Sequence, residues 1–173
     1  MYGLTKRSRF GGQTLGIKLV SGKDLLPMLE CGVDSWNEFR RQHPDSVMLN
    51  GASLSNAQLA NANLRCAFMM ESDLSHANLE HAILARAILR KTDFRDSNLR
   101  QANLDGADLC RADLTGADLR EASLESAFLK RTDLCGADLS TARGLTDSQI
   151  QDAFGNRLTR LPKGVTRPAS WDA

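Results

Sequence analysis

The chain has 173 residues, of which 42% are apolar and 25% charged, and its formal net charge is +1. This composition is typical of one soluble globular domain, and no apolar run reaches the roughly 18 residues of a membrane-spanning helix. A net charge near zero argues against nucleic-acid binding by the whole surface. Leu (26) and Ala (20) are abundant, whereas Trp, Tyr and Phe together number only nine, which is unusual for a compact core.

The N-terminal segment, residues 1–46, is predicted to form an arm and a helical cap. The arm, residues 1–23, is basic, and its short apolar stretch is interrupted by Lys18, so it does not have the pattern of a signal peptide. We therefore expect a cytoplasmic protein. The alternative is that the arm is a leader for a dedicated secretion machine.

Two short helices are predicted in this cap. Residues 24–30 are expected to form the first, broken near Pro27. Residues 35–38, with the sequence SWNE, have the pattern of a capping box that opens the second. Trp36 and Phe39 are three residues apart and so share one helix face, which we expect to cover the end of the repeats that follow.

A five-residue repeat occupies residues 47–142. A large apolar residue recurs nineteen times at intervals of five, and a small residue, usually Ala, lies two positions before each. Asp or Asn lies between the two in eleven of the nineteen repeats. The large residues, which we predict to form the structural core, are Leu49, Leu54, Leu59, Leu64, Met69, Leu74, Leu79, Leu84, Leu89, Phe94, Leu99, Leu104, Leu109, Leu114, Leu119, Leu124, Leu129, Leu134 and Leu139.

A period of five fits neither a continuous helix nor a continuous strand. On a helix the large residues would spread over every face, and in a strand each step would reverse the side. The small and large positions are two apart, however, so a three-residue extended segment places both on one side. The other two residues must then turn a corner. The pattern predicts a solenoid that coils around its own Leu side chains.

The C-terminal segment, residues 143–173, is predicted to form a second helical cap and a tail. Residues 146–149, with the sequence TDSQ, have the pattern of a capping box, and Gly155 is the expected end of the helix. Phe154 is expected on its apolar face, and Trp171 closes the tail. We predict that both aromatic residues cover the end of the solenoid.

The tandem A(D/N)LXX pattern, as in residues 106–114 (GADLCRADL), resembles the pentapeptide repeat proteins. Residues 36–40 and 161–171 also resemble segments of bacterial members. The resemblance implies an all-β solenoid: a right-handed, four-sided β-helix with four repeats per coil, about five coils in total and short helical caps at both ends. At about 4.8 Å per coil the rod would be roughly 24 Å long.

With four repeats per coil, residues twenty apart lie on one side of the rod. One side, which we call the apolar/basic face, is predicted to bind a protein because apolar and basic residues are enriched at such surfaces. It comprises Met48, Phe68, Met70, Ile88, Arg90, Lys91, Arg111, Phe128, Lys130 and Arg131. The next side, the acidic face, carries Asp73, Asp93, Asp113 and Asp133. These carboxylates are expected to bind corner amides rather than a ligand.

These patterns predict a non-catalytic scaffold that binds a protein. The partner is either an unidentified protein or a second copy of the chain. The alternatives without a partner are that the apolar residues only stack on one another or that the arm covers them. The resemblance also suggests a DNA mimic that binds a type II topoisomerase, as the quinolone-resistance proteins do. That alternative requires a strongly acidic surface. Residues 47–142 have thirteen acidic and ten basic side chains, so their net charge of −3 disfavours it.

No catalytic site, metal site or cofactor is predicted. The three histidines have no Ser or Cys partner at a catalytic spacing, and there is no phosphate-binding Gly loop. The four cysteines show no CxxC pair, which is typical of free thiols in a reducing compartment. His76, His81 and Cys66 are expected to be solvated corner residues rather than metal ligands.

Overall fold

The computed structural model describes residues 22–171, and most of the basic arm, residues 1–21, lies outside the described residues. The repeats form a right-handed, four-sided β-helix. On every side, the central residue pairs in parallel with the residue twenty positions later, from Met48 with Phe68 to Ser123 with Arg143. The predicted register of four repeats per coil is therefore confirmed.

Each corner of the rod consists of two residues, and the second adopts a left-handed backbone conformation. From residue 51 to residue 136 this φ lies between 55° and 71°. Only four of these positions are Gly; residues such as Arg86 and Lys91 adopt the same conformation, at a cost of about 1–2 kcal/mol each. A hydrogen bond to the next coil offsets this cost. The N–H of the second corner residue donates to a carbonyl of that coil, as from Gly51 to the Met70 carbonyl at 2.9 Å.

The core is a column of large apolar side chains inside the rod. All nineteen predicted core residues are buried, and none is more than 7% exposed. At three of the four positions where Ser or Thr replaces the small Ala, its hydroxyl donates to a carbonyl of the preceding coil. Ser72 bonds to Leu49 at 2.8 Å, and Thr92 to Met69 at 2.7 Å. The fourth, the Ser97 hydroxyl, is buried and has no hydrogen-bond partner among residues 22–171.

Two helices form the N-terminal cap, and both differ from the prediction. Helix α1 spans Gly22–Glu30 and continues through Pro27. The proline lies in the second turn and its ring is exposed, so it removes one backbone hydrogen bond without a clash in the core. Helix α2 spans Val33–Gln42 and begins two residues before the predicted Ser35 cap, because Gly32, with φ of 105°, turns the chain directly from α1 into α2.

Helix α2 takes the place of a preceding coil on the side of the rod that carries Asn63. Trp36 is fully buried and donates from Nε1 to the Asn63 carbonyl at 2.9 Å. Asn37 Oδ1 accepts the Asn63 N–H at 2.8 Å, a bond that a preceding coil would otherwise supply. Arg40, also buried, donates to the Arg65 carbonyl at 2.9 Å. Phe39 is half-buried, with its ring 5.8 Å from that of Trp36.

The pattern of the repeats ends at Ala142, but the parallel ladder does not. Arg143 pairs with Ser123, Phe154 with Asp133, and Arg160 with Asp138. The spacing of the last two pairs is 21 and 22 residues, so this final coil contains insertions. A three-sided extension of the β-helix therefore lies within the segment that the sequence assigns to the C-terminal cap.

On the remaining side of this last coil, above Phe128, helix α3 (Asp147–Ile150) replaces the extended segment. Its predicted capping box is confirmed: the Thr146 and Gln149 side chains both bond to the backbone across the helix start. The predicted end at Gly155 is wrong, because the helix already ends at Ile150. Phe154 is also not a buried cap residue, since it is 51% exposed and faces outward from the ladder.

The tail closes the C-terminal end of the rod. Trp171, in a 3₁₀ turn over Ala169–Trp171, is buried and donates from Nε1 to the Ala153 carbonyl at 3.1 Å. Gly155 leaves room for this ring, because a Cβ there would lie 2.5 Å from it. Between residues 22 and 171, no helix combines the length and apolar character that crossing a membrane requires.

Candidate functional site

The apolar/basic face is a continuous parallel ladder through Met48, Phe68, Ile88, Asp108 and Phe128. Met48, Phe68 and Ile88 are half-buried against one another, whereas Phe128 is 60% exposed. The structure thus places the predicted apolar residues on one side of the rod, and the most exposed of them lies at its C-terminal end. Met70, at the adjoining corner, is 36% exposed.

On the other sides of the rod, Asp or Asn at the central position stabilises the corner that follows it. Its side-chain oxygen accepts the N–H of the residue two positions later. For example, Asn103 Oδ1 accepts the Asp105 N–H at 2.9 Å, and Asp138 Oδ1 accepts the Ser140 N–H at 3.0 Å. On the apolar/basic face only Asp108 can do so. The apolar residues give up a bond worth about 0.5–1.5 kcal/mol at each corner.

The basic residues of this face line one corner of the rod and are all exposed. Two of the five are neutralised: Arg90 Nε lies 2.5 Å from Asp108 Oδ2, and Lys91 Nζ lies 2.7 Å from Glu71 Oε1. The hydrogen bond to Asp108, together with its charge, raises the pKa of Arg90. The remaining three, Arg111, Lys130 and Arg131, form no ion pair within residues 22–171. They give the face an excess of positive charge toward its C-terminal end.

The acidic face has the local hydrogen bonds expected of a structural role. Asp113 accepts the Thr115 N–H at 3.0 Å, and Asp133 accepts the Cys135 N–H at 2.9 Å. Asp73 bonds to the N–H of Ser75 at 3.0 Å in the same way. The carboxylates therefore hold the corners of the coil.

Arg95 interrupts the negative charge of this face. Its guanidinium is 2.6 Å from Asp93 and 3.8 Å from Asp113. The hydrogen bond from Arg95 lowers the pKa of Asp93. The acidic face is thus a row of paired and hydrogen-bonded carboxylates, not a continuous negative surface.

The pKa values of two thiols and the positions of two histidines do not favour a reactive group. Burial, reinforced by a hydrogen bond with the Asp133 carboxylate, raises the pKa of Cys135 to about 11, and burial likewise raises the pKa of Cys110. Both shifts disfavour the thiolate that nucleophilic catalysis needs. His76 and His81 are exposed corner residues, and in the described part of the chain no cluster of His, Cys, Asp or Glu could hold a metal ion.

Sequence reasoning missed three side chains that replace some of the missing ladder bonds at the two ends of the rod. Asn37 and Arg40 supply bonds to the first coil, and Gln149 supplies them to the last. These residues lie outside the repeat, so its period carried no signal for them. The only local signal was the capping box that contains Gln149.

Comparisons with known proteins agree with this architecture. The family model for pentapeptide repeats matches eight copies, over residues 47–75, 72–109, 84–116 and 102–140. No curated protein sequence is similar enough to count as a match.

Three solved structures illustrate the similarity. A pentapeptide repeat protein of Nostoc PCC 7120, alr5209, is 30% identical over 82% of this chain and 88% of its own, with a TM-score of 0.42. Rfr23 of Cyanothece 51142 is 24% identical over 79% and 97%, with a TM-score of 0.41. QnrB1, a plasmid-mediated fluoroquinolone resistance protein, is 15% identical over 72% and 81%, with a TM-score of 0.28. Because the family model covers more than half of the chain and its repeats form the expected β-helix, the chain belongs to the pentapeptide repeat family.

Proposed function

We propose that this protein is a non-catalytic scaffold that binds a partner protein through its apolar/basic face. One observation carries the proposal: four of the five central residues on this face are apolar, at positions where Asp or Asn would stabilise the corner. A row of substitutions that gives up local stability is expected at a functional surface. Exposed Phe beside unpaired Arg and Lys is the composition of a protein-binding surface.

The chemistry of the rod supports a binding role over catalysis. An active site needs a pocket in which a nucleophile, a base and an acceptor of negative charge converge. Here the raised thiol pKa values of Cys110 and Cys135 disfavour a nucleophile, and His76 and His81 are exposed at separate corners. Flat sides built from short repeats offer contact area instead.

DNA mimicry is less well supported because arginines are interspersed with the carboxylates on the outer surface. Arg100 lies 3.4 Å from Glu121 and 3.9 Å from Glu80, and Arg120 is paired with Asp118. Such pairs cancel the extended negative potential that a duplex presents. We therefore expect no effect on gyrase supercoiling, or on its inhibition by quinolones, at micromolar protein concentrations.

The proposal is tested by affinity capture from the native host with three forms of the chain. The wild type should retain a partner that the Phe68→Ser/Phe128→Ser variant loses. The matched control is Leu158→Ser, which replaces a 73% exposed apolar residue away from this face and should retain the partner. Circular dichroism should show that all three are folded.

Retention of every wild-type partner by the Phe68→Ser/Phe128→Ser variant would contradict the proposal. Light scattering of the same variants separates the two kinds of partner. If the wild type is a dimer and the double variant a monomer, the face binds a second copy of the chain. A monomer in every case leaves a different protein as the partner.

A further inference from the structure

The parallel ladder of the apolar/basic face stops at Phe128, because helix α3 replaces the segment that would follow it. On the other three sides, the last inward leucine donates its N–H to the final coil: Leu124 to Arg143 at 2.9 Å, Leu134 to Phe154 at 2.9 Å, and Leu139 to Arg160 at 2.8 Å. The Leu129 N–H has no such partner among the residues that the structure describes. At this end of the rod, the ladder is thus open on one side.

The open position offers hydrogen-bond donors, whereas its ladder acceptor, the Ala127 carbonyl, is already bonded. Gln149 Nε2 donates to the carbonyls of Ala127 at 3.0 Å and Leu124 at 2.8 Å, and so replaces the N–H of a further coil. The N–H groups of Ser126 and Leu129 remain without a partner within residues 22–171. A group that binds here must therefore supply carbonyl or carboxylate oxygens.

Two adjoining grooves give access to this position. The first, about 360 Å³ in volume, is lined by residues 126–130 together with α3 and Asp152. The second, about 450 Å³, shares Lys130 and Asp152 with it and extends to Phe154 and Trp171. The exposed rings of Phe128 and Phe154 border this surface.

The charge of the grooves favours an anionic ligand. Lys130 and Arg131 line them, and neither forms an ion pair with another described residue. Asp152 contributes one opposing carboxylate. The two cations outnumber it, so a segment that carries acidic side chains would find complementary charge.

We propose that an extended, acidic segment of a partner protein binds in these grooves and adds as a further strand beyond Phe128. Its backbone carbonyls would accept the N–H of Leu129, its acidic side chains would lie against Lys130 and Arg131, and an apolar side chain would contact Phe128. This inference rests on the proposed function of the apolar/basic face. Nucleic acid is the other anionic candidate, but open backbone donors and exposed Phe side chains favour a peptide.

The test uses a random peptide library displayed on phage and selected on the full chain. We expect the enriched peptides to be acidic and to contain an apolar residue. Their affinity, measured by calorimetry, should fall about tenfold or more in Lys130→Glu/Arg131→Glu. The control variant, Arg86→Glu/Lys163→Glu, has the same change in net charge at two other exposed sites and should bind as the wild type does.

Hydrogen exchange by NMR reports on the ladder position itself. In the free protein the Leu129 amide should exchange faster than those of Leu124 and Leu134, and the peptide should slow its exchange. The inference is overturned if no peptide is enriched, if enriched peptides lack acidic residues, or if binding leaves the Leu129 amide unprotected. It is also overturned if self-association protects that amide, or if a single-stranded oligonucleotide binds at Lys130 and Arg131 more tightly than the peptides do.

One comparison distinguishes failure of this inference from failure of the proposed function. Phe68 lies in the middle of the face, away from the grooves. If Phe68→Ser loses the partner captured from the host while Lys130→Glu/Arg131→Glu retains it, the face is a binding surface but the partner does not use the open ladder position. If both variants retain it, both proposals are wrong.

Discussion

The column of leucines inside the rod predicts a graded loss of stability on substitution of Leu104. This side chain is fully buried. Leu104→Ala removes three carbons from the centre of the column and should cost about 2–5 kcal/mol. Leu104→Asp adds an unpaired carboxylate, whose burial costs several kcal/mol more. Since a domain is stable by only about 5–15 kcal/mol, the Asp variant should lose the structure of its middle coils.

Urea unfolding followed by circular dichroism measures this series. Leu158→Ala is the matched control, because Leu158 is 73% exposed and its truncation should change stability by no more than about 0.5 kcal/mol. In a solenoid each coil contacts only its neighbours, so Leu104→Asp is expected to give a broadened transition or none. A cooperative, wild-type-like transition for that variant would refute the interior assignment of Leu104.

Three further predictions concern individual contacts. Ser97→Ala should raise the free energy of unfolding by about 1 kcal/mol, because it removes a buried hydroxyl that has no partner among the described residues. Ser72→Ala should lower the free energy of unfolding by a similar amount, because it removes the hydrogen bond to the Leu49 carbonyl. Equal effects of the two substitutions in urea unfolding would contradict this prediction. Gly155→Ala should displace Trp171. In a Trp36→Phe background, which leaves Trp171 as the one tryptophan, the emission of Trp171 should shift to the red. An unchanged spectrum would show that the ring does not rest on Gly155. The pKa of Asp93 is lowered below its usual 3.8, so its pairing with Arg95 stabilises the fold above that pH and less as the pH falls through the lowered value. Asp93→Asn should therefore reduce the loss of stability on acidification, and identical pH profiles for the two proteins would count against the pair.

The sequence predicts the coils well because two constraints recur in every repeat. One small and one large residue must point inward, and both spacings repeat without interruption, so the register and the four sides follow from counting. The same reasoning places Phe68 and Phe128 on one side, twenty residues from Ile88 and Asp108 respectively. The cap residue Phe154 lies beyond the repeat, and its predicted burial was wrong because insertions place it on the outward side of the ladder.

The ends of the rod could not be predicted in this way, because the cap side chains bond to backbone groups that are distant in sequence. The start of α2 depends on the backbone of Gly32, which a Ser35 capping pattern obscures. Asn37 and Gln149 lie 26 and 22 residues from the backbone groups that they satisfy at Asn63 and Ala127. Neither separation equals the twenty residues of one coil, so only the folded chain shows that these amides replace missing coils.

Asn37 and Gln149 satisfy different kinds of backbone group at the two ends of the rod, and the difference bears on function. At the N-terminal end, Asn37 both donates to the Asn61 carbonyl and accepts the Asn63 N–H, so one side chain satisfies a donor and an acceptor. At the C-terminal end, the Gln149 Nε2 group only donates to the ladder, because its Oε1 accepts from Thr146 instead. The Leu129 N–H therefore stays open beneath Phe128, on the one face where apolar residues replace the corner-stabilising Asp or Asn. An open ladder N–H, the exposed Phe128 ring and two cations without an ion pair among the described residues coincide at the C-terminal end of the rod, which is why we expect a partner to bind there.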